Sequence, residues 1–433
     1  MMLCRWRAAG KYRLVTQEAP EAKLSGGQSG NTVRQRMKIT GVKTTLFEST
    51  MSRKHGDANS PGGRTKASHL AVELSTDDEL IGVSLASPTV RPLIASICDG
   101  ILVGEDPRGV KGLWQRMVDR AFKGGHDGLI NDAISALDIA LWDLKAKANG
   151  EPLYRTLGAS NNRVLAYASG LDMPLSDKEL SDYYSEMARH GYQGGKLKVG
   201  LDQDADIRRI GIMQDALSRN SSRPMLLIDA NEYWSPKQAI RKMREIEEIY
   251  DITWIEEPAR RWDYLGLGRI KRSIRSAVCA GENLDTLGDF LPYFAAEAAD
   301  IIQVGAGMTG ITGALQIADA AYGFEYPVTV GGSPGNFQAH LAAVMPHHMT
   351  LETQDVTSGP VFTTAVTIQD GWAVCGDKPG TGIEFNHEEL KKHAVEKASP
   401  GSGPSPLGRR KGAGLYDFPP TPEEVAMARG TRK

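Results

Sequence analysis

Short apolar runs that each end in a polar residue recur through the second half of the chain. The stretches between them carry apolar residues at helical spacing, as after Ser235-Pro236, where serine suits the N-cap and proline the first helical position. The runs cover 195–198, 225–229, 253–256, 278–282, 301–304, 327–330 and 349–352. Such alternating units form parallel sheets, so residues 161–364 are predicted to close into a β/α barrel. An open doubly wound sheet is the alternative, but no G-x-G-x-x-G motif follows an early strand.

A different pattern precedes the barrel. Met37–Phe47 and Ser68–Ser75 have strand-like patterns, and two helical patterns follow them. The polar, glycine-rich segment 49–66 between the two strands is predicted to be a long loop, which is usually functional or disordered. We therefore expect residues 37–160 to form an α+β capping domain, completed by residues from about 365–395.

The two ends of the chain differ from the rest. Residues 1–36 are rich in Gly, Ser, Arg and Gln and are predicted to be a disordered extension. An organelle transit peptide is the alternative, but Glu18 and Glu21 interrupt the basic stretch. Residues 396–433 are rich in Pro, Gly and Ser and are predicted to be a disordered tail.

Composition narrows the class of protein. Hydrophobic residues make up 41% of the 433 residues, which supports a sizeable core. A formal net charge of −2 leaves no electrostatic footprint for nucleic acid or a membrane surface, and no apolar run approaches the about 20 residues of a membrane span. Four scattered cysteines fit a reducing cytoplasm. We expect a cytoplasmic homo-oligomer that acts on a small molecule.

Acidic residues close three successive strands of the predicted barrel. Side chains at the C-terminal ends of barrel strands meet at one mouth, so Asp229, Glu256 and Glu282 are expected to converge there. A lone acid at such a place is more often a solvated rim residue, but three converging carboxylates repel one another unless a cation neutralises them. Hard oxygen ligands select Mg²⁺, with Mn²⁺ as a substitute.

Two lysines lie on one predicted strand. Lys196 and Lys198 share a face because side chains alternate, while Leu197 and Val199 face the helices. A basic surface strand is the alternative to two ammonium groups inside the barrel. A buried lysine beside another cation has a lowered pKa and can act as a base. The metal would stabilise the enolate formed when a proton leaves the carbon next to a carboxylate.

Several of these segments resemble a known family. The motifs are Asp229-Ala-Asn231, Trp254-Ile-Glu-Glu-Pro258, Gly281-Glu-Asn283, Lys196-Leu-Lys198 and Ala133–Lys145. The first three resemble the metal-binding strands of the enolase superfamily, and the last two are similar to its mandelate racemase and muconate lactonising branch. The resemblance covers roughly residues 37–388. It implies a modified TIM-type β/α barrel with an α+β capping domain, and Mg²⁺ held by the three strand-end carboxylates.

The resemblance also implies roles for single residues. Lys198 is expected to be the base that removes the alpha proton, and Lys196 to polarise the substrate carboxylate. Glu352 falls where this branch keeps a carboxyl group facing the substrate, so it is expected to act as an acid or hydrogen-bond donor, or else to pair with a lysine.

Substrate contacts are expected from Asn231 and from the predicted long loop. Arg53 and His55 of that loop are candidates to meet a second anionic group over the barrel mouth. The alternative is a solvated loop without a role in binding.

One departure from the family pattern affects the reaction. Members of the branch usually carry Asp and His at the ends of the sixth and seventh strands, opposite the lysine, whereas Gly305 and Gly331 occupy those places here. His340 is the nearest histidine and is expected to cap or pack a helix. A one-sided dehydratase acting on a hydroxy or sugar acid is therefore predicted. A racemase, epimerase or lactone cycloisomerase is the alternative, and a non-catalytic metal-binding homologue, which would need no base, is the alternative of another class.

Overall fold

The computed structural model describes residues 37–125, 127–354 and 359–398. The predicted extension 1–36 and nearly all of the predicted tail 396–433 lie outside the described residues. No helix among the described residues combines the length and the apolar character that crossing a membrane requires.

An antiparallel sheet and four α-helices form most of the first part of the described chain. The sheet has the order β1-β2-β3. Its strands are β1 Ile39–His55, β2 Arg64–Thr76 and β3 Ile81–Ala86, and the helices are α1 Arg91–Ile97, α2 Val110–Ala121, α3 Leu129–Asn149 and α4 Leu153–Leu157. Helix α3 packs on β3, where Asp143 Oδ2 accepts a hydrogen bond from the backbone N–H of Val83 at 2.9 Å.

A closed barrel of eight parallel strands follows. The strands are β4 Arg163–Ser169, β5 Gly194–Lys198, β6 Met225–Asp229, β7 Ile252–Glu256, β8 Ala277–Ala280, β9 Ile301–Val304, β10 Val328–Val330 and β11 His348–Gln354. The helices between them are α5 Asp177–Arg189, α6 Gln203–Leu217, α7 Pro236–Glu247, α8 Tyr264–Lys271, α9 Leu287–Ala296, α10 Ala306–Gly323 and α11 Ala339–Ala342. Strand β11 pairs with β4 and so closes the barrel. The predicted fold class, a modified TIM-type barrel with an antiparallel sheet as cap, is confirmed.

Seven of the eight barrel strands overlap the predicted runs, with small differences at their ends. Strand β4 was not among the predicted runs. Glu282 lies in the turn after β8, where Gly281 adopts a φ of 132° that favours glycine. The predicted helix start at Ser235 is confirmed, because Ser235 and Gln238 form a capping box.

The prediction that residues 49–66 form a long loop is wrong. Strands β1 and β2 continue as a paired hairpin, with Thr50 opposite Lys66 and His55 opposite Arg64, so only residues 56–63 form the tip. Polar side chains do not prevent a strand from pairing, because the ladder uses backbone groups.

The end of the described chain returns to both sheets. Its elements are β12 Phe362–Thr363, β13 Thr367–Gln369, β14 Trp372–Val374, β15 Glu384–Phe385 and α12 His387–Lys392. Strand β14 pairs antiparallel with β4, and the backbone N–H of Val395 donates to Leu46 O at 2.9 Å in β1. The segment thus contacts the barrel and the capping sheet.

The interior of the barrel is packed below its mouth. Its apolar cluster consists of Tyr167, Leu227, Trp254, Cys279 and Ile301, all almost fully buried. The larger core fills the layer between strands and helices. A packed barrel leaves its chemistry to the C-terminal ends of the strands.

Candidate active site

Three carboxylates converge at the mouth of the barrel. Asp229 ends β6 and is the register partner of Glu256, which ends β7, and Glu282 follows β8. One oxygen from each lies within 4.8 Å of the others. The expected convergence of these side chains is thus present in the structure.

Burial and mutual repulsion make these carboxylates costly as anions. Burial raises the pKa of Glu282 to about 7, with Lys196 opposing and Asp229 adding to the rise. Burial, opposed by Lys196 and reinforced by Asp229, raises the pKa of Glu256 well above its ordinary value. A set of hard oxygen donors with excess negative charge fits a divalent cation such as Mg²⁺, and these three residues could hold it.

Both lysines of β5 point into this group of acids. Lys196 Nζ lies 2.5 Å from Glu256 Oε1 and 3.3 Å from Glu352 Oε1. Lys198 Nζ lies 2.5 Å from Asp229 Oδ2. Lys196 and Lys198 are almost fully buried, so the surface-strand alternative is wrong.

The expected lowering of the Lys198 pKa is not found in this arrangement. Burial and Lys196 lower the pKa, but the Asp229 carboxylate raises it more, and it lies above its ordinary value. The rise comes from the ion pair between Lys198 and Asp229, and Asp229 is one of the three carboxylates that could hold a cation.

Glu352 is held as an anion on β11. Burial raises its pKa, but Lys196 and Lys198 outweigh burial and bring the pKa to about 2. Its Oε2 accepts a hydrogen bond from Gly332 N at 2.9 Å. Pairing with Lys196 is therefore the role that this arrangement favours over proton donation.

Glycine occupies the face opposite the lysines. A Cβ atom built at Gly305 would meet nothing within 4 Å, and one at Gly331 would lie 4.0 Å from Glu352 Oε2. His340 lies in α11, where its Nδ1 accepts a hydrogen bond from Tyr154 N at 3.2 Å. The expectation that His340 packs a helix is confirmed.

The three candidate substrate contacts have different surroundings. Asn231 follows β6 with a φ of 43°, and its carbonyl accepts a hydrogen bond from Asn59 Nδ2 of the hairpin tip at 2.8 Å. The hairpin tip therefore reaches the barrel mouth. Arg53 stacks over the ring of Tyr183 in α5, with 4.4 Å between its Cζ atom and the ring centroid. His55 is buried, and burial with the charge of Arg53 lowers its pKa to about 4.

Two further residues at the barrel mouth were not anticipated. Gln303 alternates with Ile302 and Val304 of the outer core, so it faces the interior, and neither polar atom of its fully buried amide has a hydrogen-bond partner. Asp172 accepts a hydrogen bond from Lys198 N at 3.0 Å. The signal for Asp172 was its place just after β4, which matches the strand-end pattern of the other candidates.

Comparison with known proteins agrees with this geometry. Residues 42–158 match the model of the mandelate racemase / muconate lactonizing enzyme N-terminal domain, and residues 179–390 match that of the enolase C-terminal domain-like family. The two matches cover the cap and most of the barrel. Both matches agree with the structure, which is a barrel with a capping domain and a cluster of acidic residues at the barrel mouth.

Two relatives and one solved structure show the range of activities among similar proteins. The chain is 30% identical over 319 residues to a 3,6-anhydro-alpha-L-galactonate cycloisomerase of Streptomyces coelicolor, covering 72% of this chain and 86% of the relative. It is 31% identical over 292 residues to an L-talarate/galactarate dehydratase of Salmonella typhimurium, covering 66% and 71%. A crystal structure of a racemase from Streptomyces coelicolor A3(2) with bound magnesium is 28% identical, with a TM-score of 0.75 over 82% of this chain and 100% of that one.

The chain belongs to the enolase superfamily, in its mandelate racemase and muconate lactonizing branch, and it is an enzyme.

Proposed function

We propose that the chain is a Mg²⁺-dependent dehydratase of a hydroxy acid or sugar acid. The observation that carries the proposal is the pairing of Lys196 and Lys198 with the acidic mouth, while Gly305 and Gly331 lie opposite them. Among the described residues, Gly305 and Gly331 leave the face opposite Lys198 without a proton-transferring side chain at the ends of β9 and β10. A dehydration needs no group on the opposite face of the substrate if the same side chain removes the alpha proton and then protonates the leaving hydroxyl.

The metal ligands in this proposal are Asp229, Glu256 and Glu282. Bound Mg²⁺ would stabilise the negative charge that grows on the substrate carboxylate as the alpha proton leaves. The Lys196 ammonium would bind the same carboxylate group from its place beside Glu256 and Glu352. The similar racemase structure with bound magnesium supports this part of the proposal.

Lys198 is the proposed base. Its Nζ must be neutral to accept a proton, and the ion pair with Asp229 now favours the ammonium form. A cation held by Asp229 would weaken that ion pair. In the proposed reaction the neutral amine of Lys198 takes the alpha proton, and the resulting ammonium gives a proton to the departing beta-hydroxyl, which leaves as water. The resulting enol becomes a 2-keto acid by taking a proton from solvent at the beta-carbon.

The hairpin tip and the turn after β6 are the proposed substrate contacts. The bond between Asn59 and the Asn231 carbonyl holds the tip over that turn. Neutral His55 can donate or accept a hydrogen bond, and Arg53 offers a positive charge for a second anionic group.

Cycloisomerisation is the second candidate, favoured by the 30% identical 3,6-anhydro-alpha-L-galactonate cycloisomerase. It uses the same lysine and the same cation, and it differs in the bond that is cleaved. Epimerisation needs a second proton carrier, and Glu352, held as an anion, is a poor proton donor in this arrangement.

Incubation with Mg²⁺ and a panel of sugar acids and their lactones in deuterated water tests the proposal. We expect loss of water and a 2-keto acid with deuterium at the former beta-carbon. Recovered substrate with an inverted, deuterated alpha carbon would instead show an epimerase, and ring opening without water loss a cycloisomerase. Mg²⁺ binding without exchange or turnover across the panel would contradict the dehydratase.

A further inference from the structure

The strand that carries the two lysines lacks a backbone partner at its end. Strand β5 pairs with β4 only at Gly195 and Lys196, because β4 ends at Ser169, the partner of Lys196. On its other side β5 pairs with β6 as far as Lys198 and Asp229. The N–H of Lys198 therefore needs an acceptor other than a β4 carbonyl.

Asp172 supplies that acceptor. Its Oδ1 accepts a hydrogen bond from Lys198 N at 3.0 Å, and its Oδ2 lies 2.8 Å from the hydroxyl of Tyr184. The same hydroxyl lies 2.7 Å from the carbonyl oxygen of Lys196. Side chains of Asp172 and Tyr184 thus extend the edge of β4 alongside both lysines.

The buried carboxylate of Asp172 forms an ion pair with Arg209. Asp172 is fully buried, and Arg209 of α6 donates to its Oδ1 and to its carbonyl oxygen at 3.0 and 2.9 Å. Arg209 also donates to Leu175 O at 3.0 Å. A buried ion pair with these additional hydrogen bonds has a defined geometry, so the carboxylate is held where Lys198 N needs it.

The cap fixes the same segment from the opposite side. Gly56 N of the hairpin tip donates to Leu171 O at 2.7 Å, and Met173 N donates to Gly56 O at 3.3 Å. Leu171 has a φ of 45°, a left-handed conformation that L residues adopt rarely. Residues 171–173 therefore lie between the cap hairpin and the lysine strand.

We propose that Asp172 is a positioning residue that sets the place of Lys196 and Lys198 in the mouth of the barrel. The inference rests on the proposed role of Lys198 as the base. Proton transfer requires the donor and acceptor atoms at hydrogen-bond distance, so a small shift of the β5 backbone slows the reaction. Asp172 acts through that backbone and through Tyr184, without contact to the substrate.

Two variants test the proposal. Tyr184→Phe removes one hydroxyl from the network, and Asp172→Asn keeps an oxygen for Lys198 N while removing the charge that pairs with Arg209. Both should lower kcat and the rate of alpha-proton exchange by about ten- to a hundredfold, and KM should rise by a smaller factor because Lys196 shifts together with Lys198. Tyr250→Phe, the same chemical change at a tyrosine packed against Gly211 of α6, is the matched control and should behave as the native enzyme.

Crystal structures of the variants give a readout that does not depend on turnover. The 2.5 Å separation of Lys198 Nζ and Asp229 Oδ2 should lengthen in both variants. Folded variants with unmoved lysines, or with native exchange rates, would overturn the positioning role. A native enzyme that binds Mg²⁺ and exchanges no proton would overturn the proposed function instead, and the lysine positions would still test Asp172.

Discussion

The Nζ atom of Lys198 and the Oδ2 atom of Asp229 share a hydrogen bond of 2.5 Å, so the proposed base and a proposed metal ligand bind each other in this structure. A cation at Asp229 would compete with the lysine for that oxygen. Metal loading and the protonation of Lys198 are therefore coupled, and variants of either group should affect both.

Metal affinity should depend on each carboxylate of the mouth. Glu256→Gln removes one ligand charge and should weaken Mg²⁺ binding at least about tenfold, measured by calorimetry. Chelation should abolish activity, and added Mg²⁺ should restore it. Glu248→Gln, an exposed site after α7, is the control. Full activity of Glu256→Gln in excess chelator would refute the ligand assignment.

Substitutions of Lys198 and Lys196 should impair the enzyme in different ways. Lys198→Met should bind Mg²⁺ and substrate but exchange the alpha proton about 10²- to 10⁴-fold more slowly, because a general base is missing. Lys196→Met should raise KM as well as lower kcat, since its charge binds the carboxylate. Exchange is measured by NMR in deuterated water. Native exchange by Lys198→Met would place the base on the opposite face.

Substitution of Gln303 should affect substrate binding but should not lower the stability of the protein. Its buried amide lacks partners on both atoms, so Gln303→Leu should leave the melting temperature unchanged or raised. If the amide meets the substrate, KM should rise about three- to tenfold. Thr329→Val is the matched control, because its hydroxyl donates to Thr350 O at 2.7 Å and its loss should affect stability alone. Native KM in Gln303→Leu would exclude the contact.

His340 should matter for stability and not for activity. The residue is fully buried, and its Nδ1 accepts the N–H of Tyr154. His340→Asn should keep native kcat while losing about 1–3 kcal/mol of unfolding free energy, measured by denaturant titration. A fall of several orders of magnitude in kcat, with the fold intact, would mean that His340 takes part in the reaction.

Acid should destabilise the protein partly through the same histidine. Burial lowers the pKa of His340 from 6.5 to about 4, so between these values the unfolded chain binds a proton that the folded chain does not. The contribution of His340 is present above pH 6.5 and is lost as the pH falls towards 4, on the order of 3 kcal/mol in all. The contribution of His340 is measured by denaturant titration of the native protein and of His340→Asn at several pH values, as the difference between their free energies of unfolding. A difference that does not change with pH would contradict the shift.

Most barrel strands and the principal acids and lysines of the mouth could be predicted from the sequence. Strand ends recur in the pattern, and the C-terminal ends of parallel barrel strands meet at one mouth, so Asp229 and Glu256 converge without further information. The extent of the β1–β2 hairpin could not be predicted, because backbone pairing does not require an apolar pattern. The pKa of Lys198 could not be predicted either, since it depends on the distance to Asp229.

The sequence by itself determined the barrel, its acidic mouth and the glycines at 305 and 331, because each follows from local alternation and from residue identity. Only the tertiary structure decided what Asp172 and Gln303 do. The acceptor role of Asp172 arises because β4 ends short of Lys198 and because α6 brings Arg209 to it. The unpaired amide of Gln303 depends on which groups the closed barrel places around it, and closure joins strands far apart in the chain.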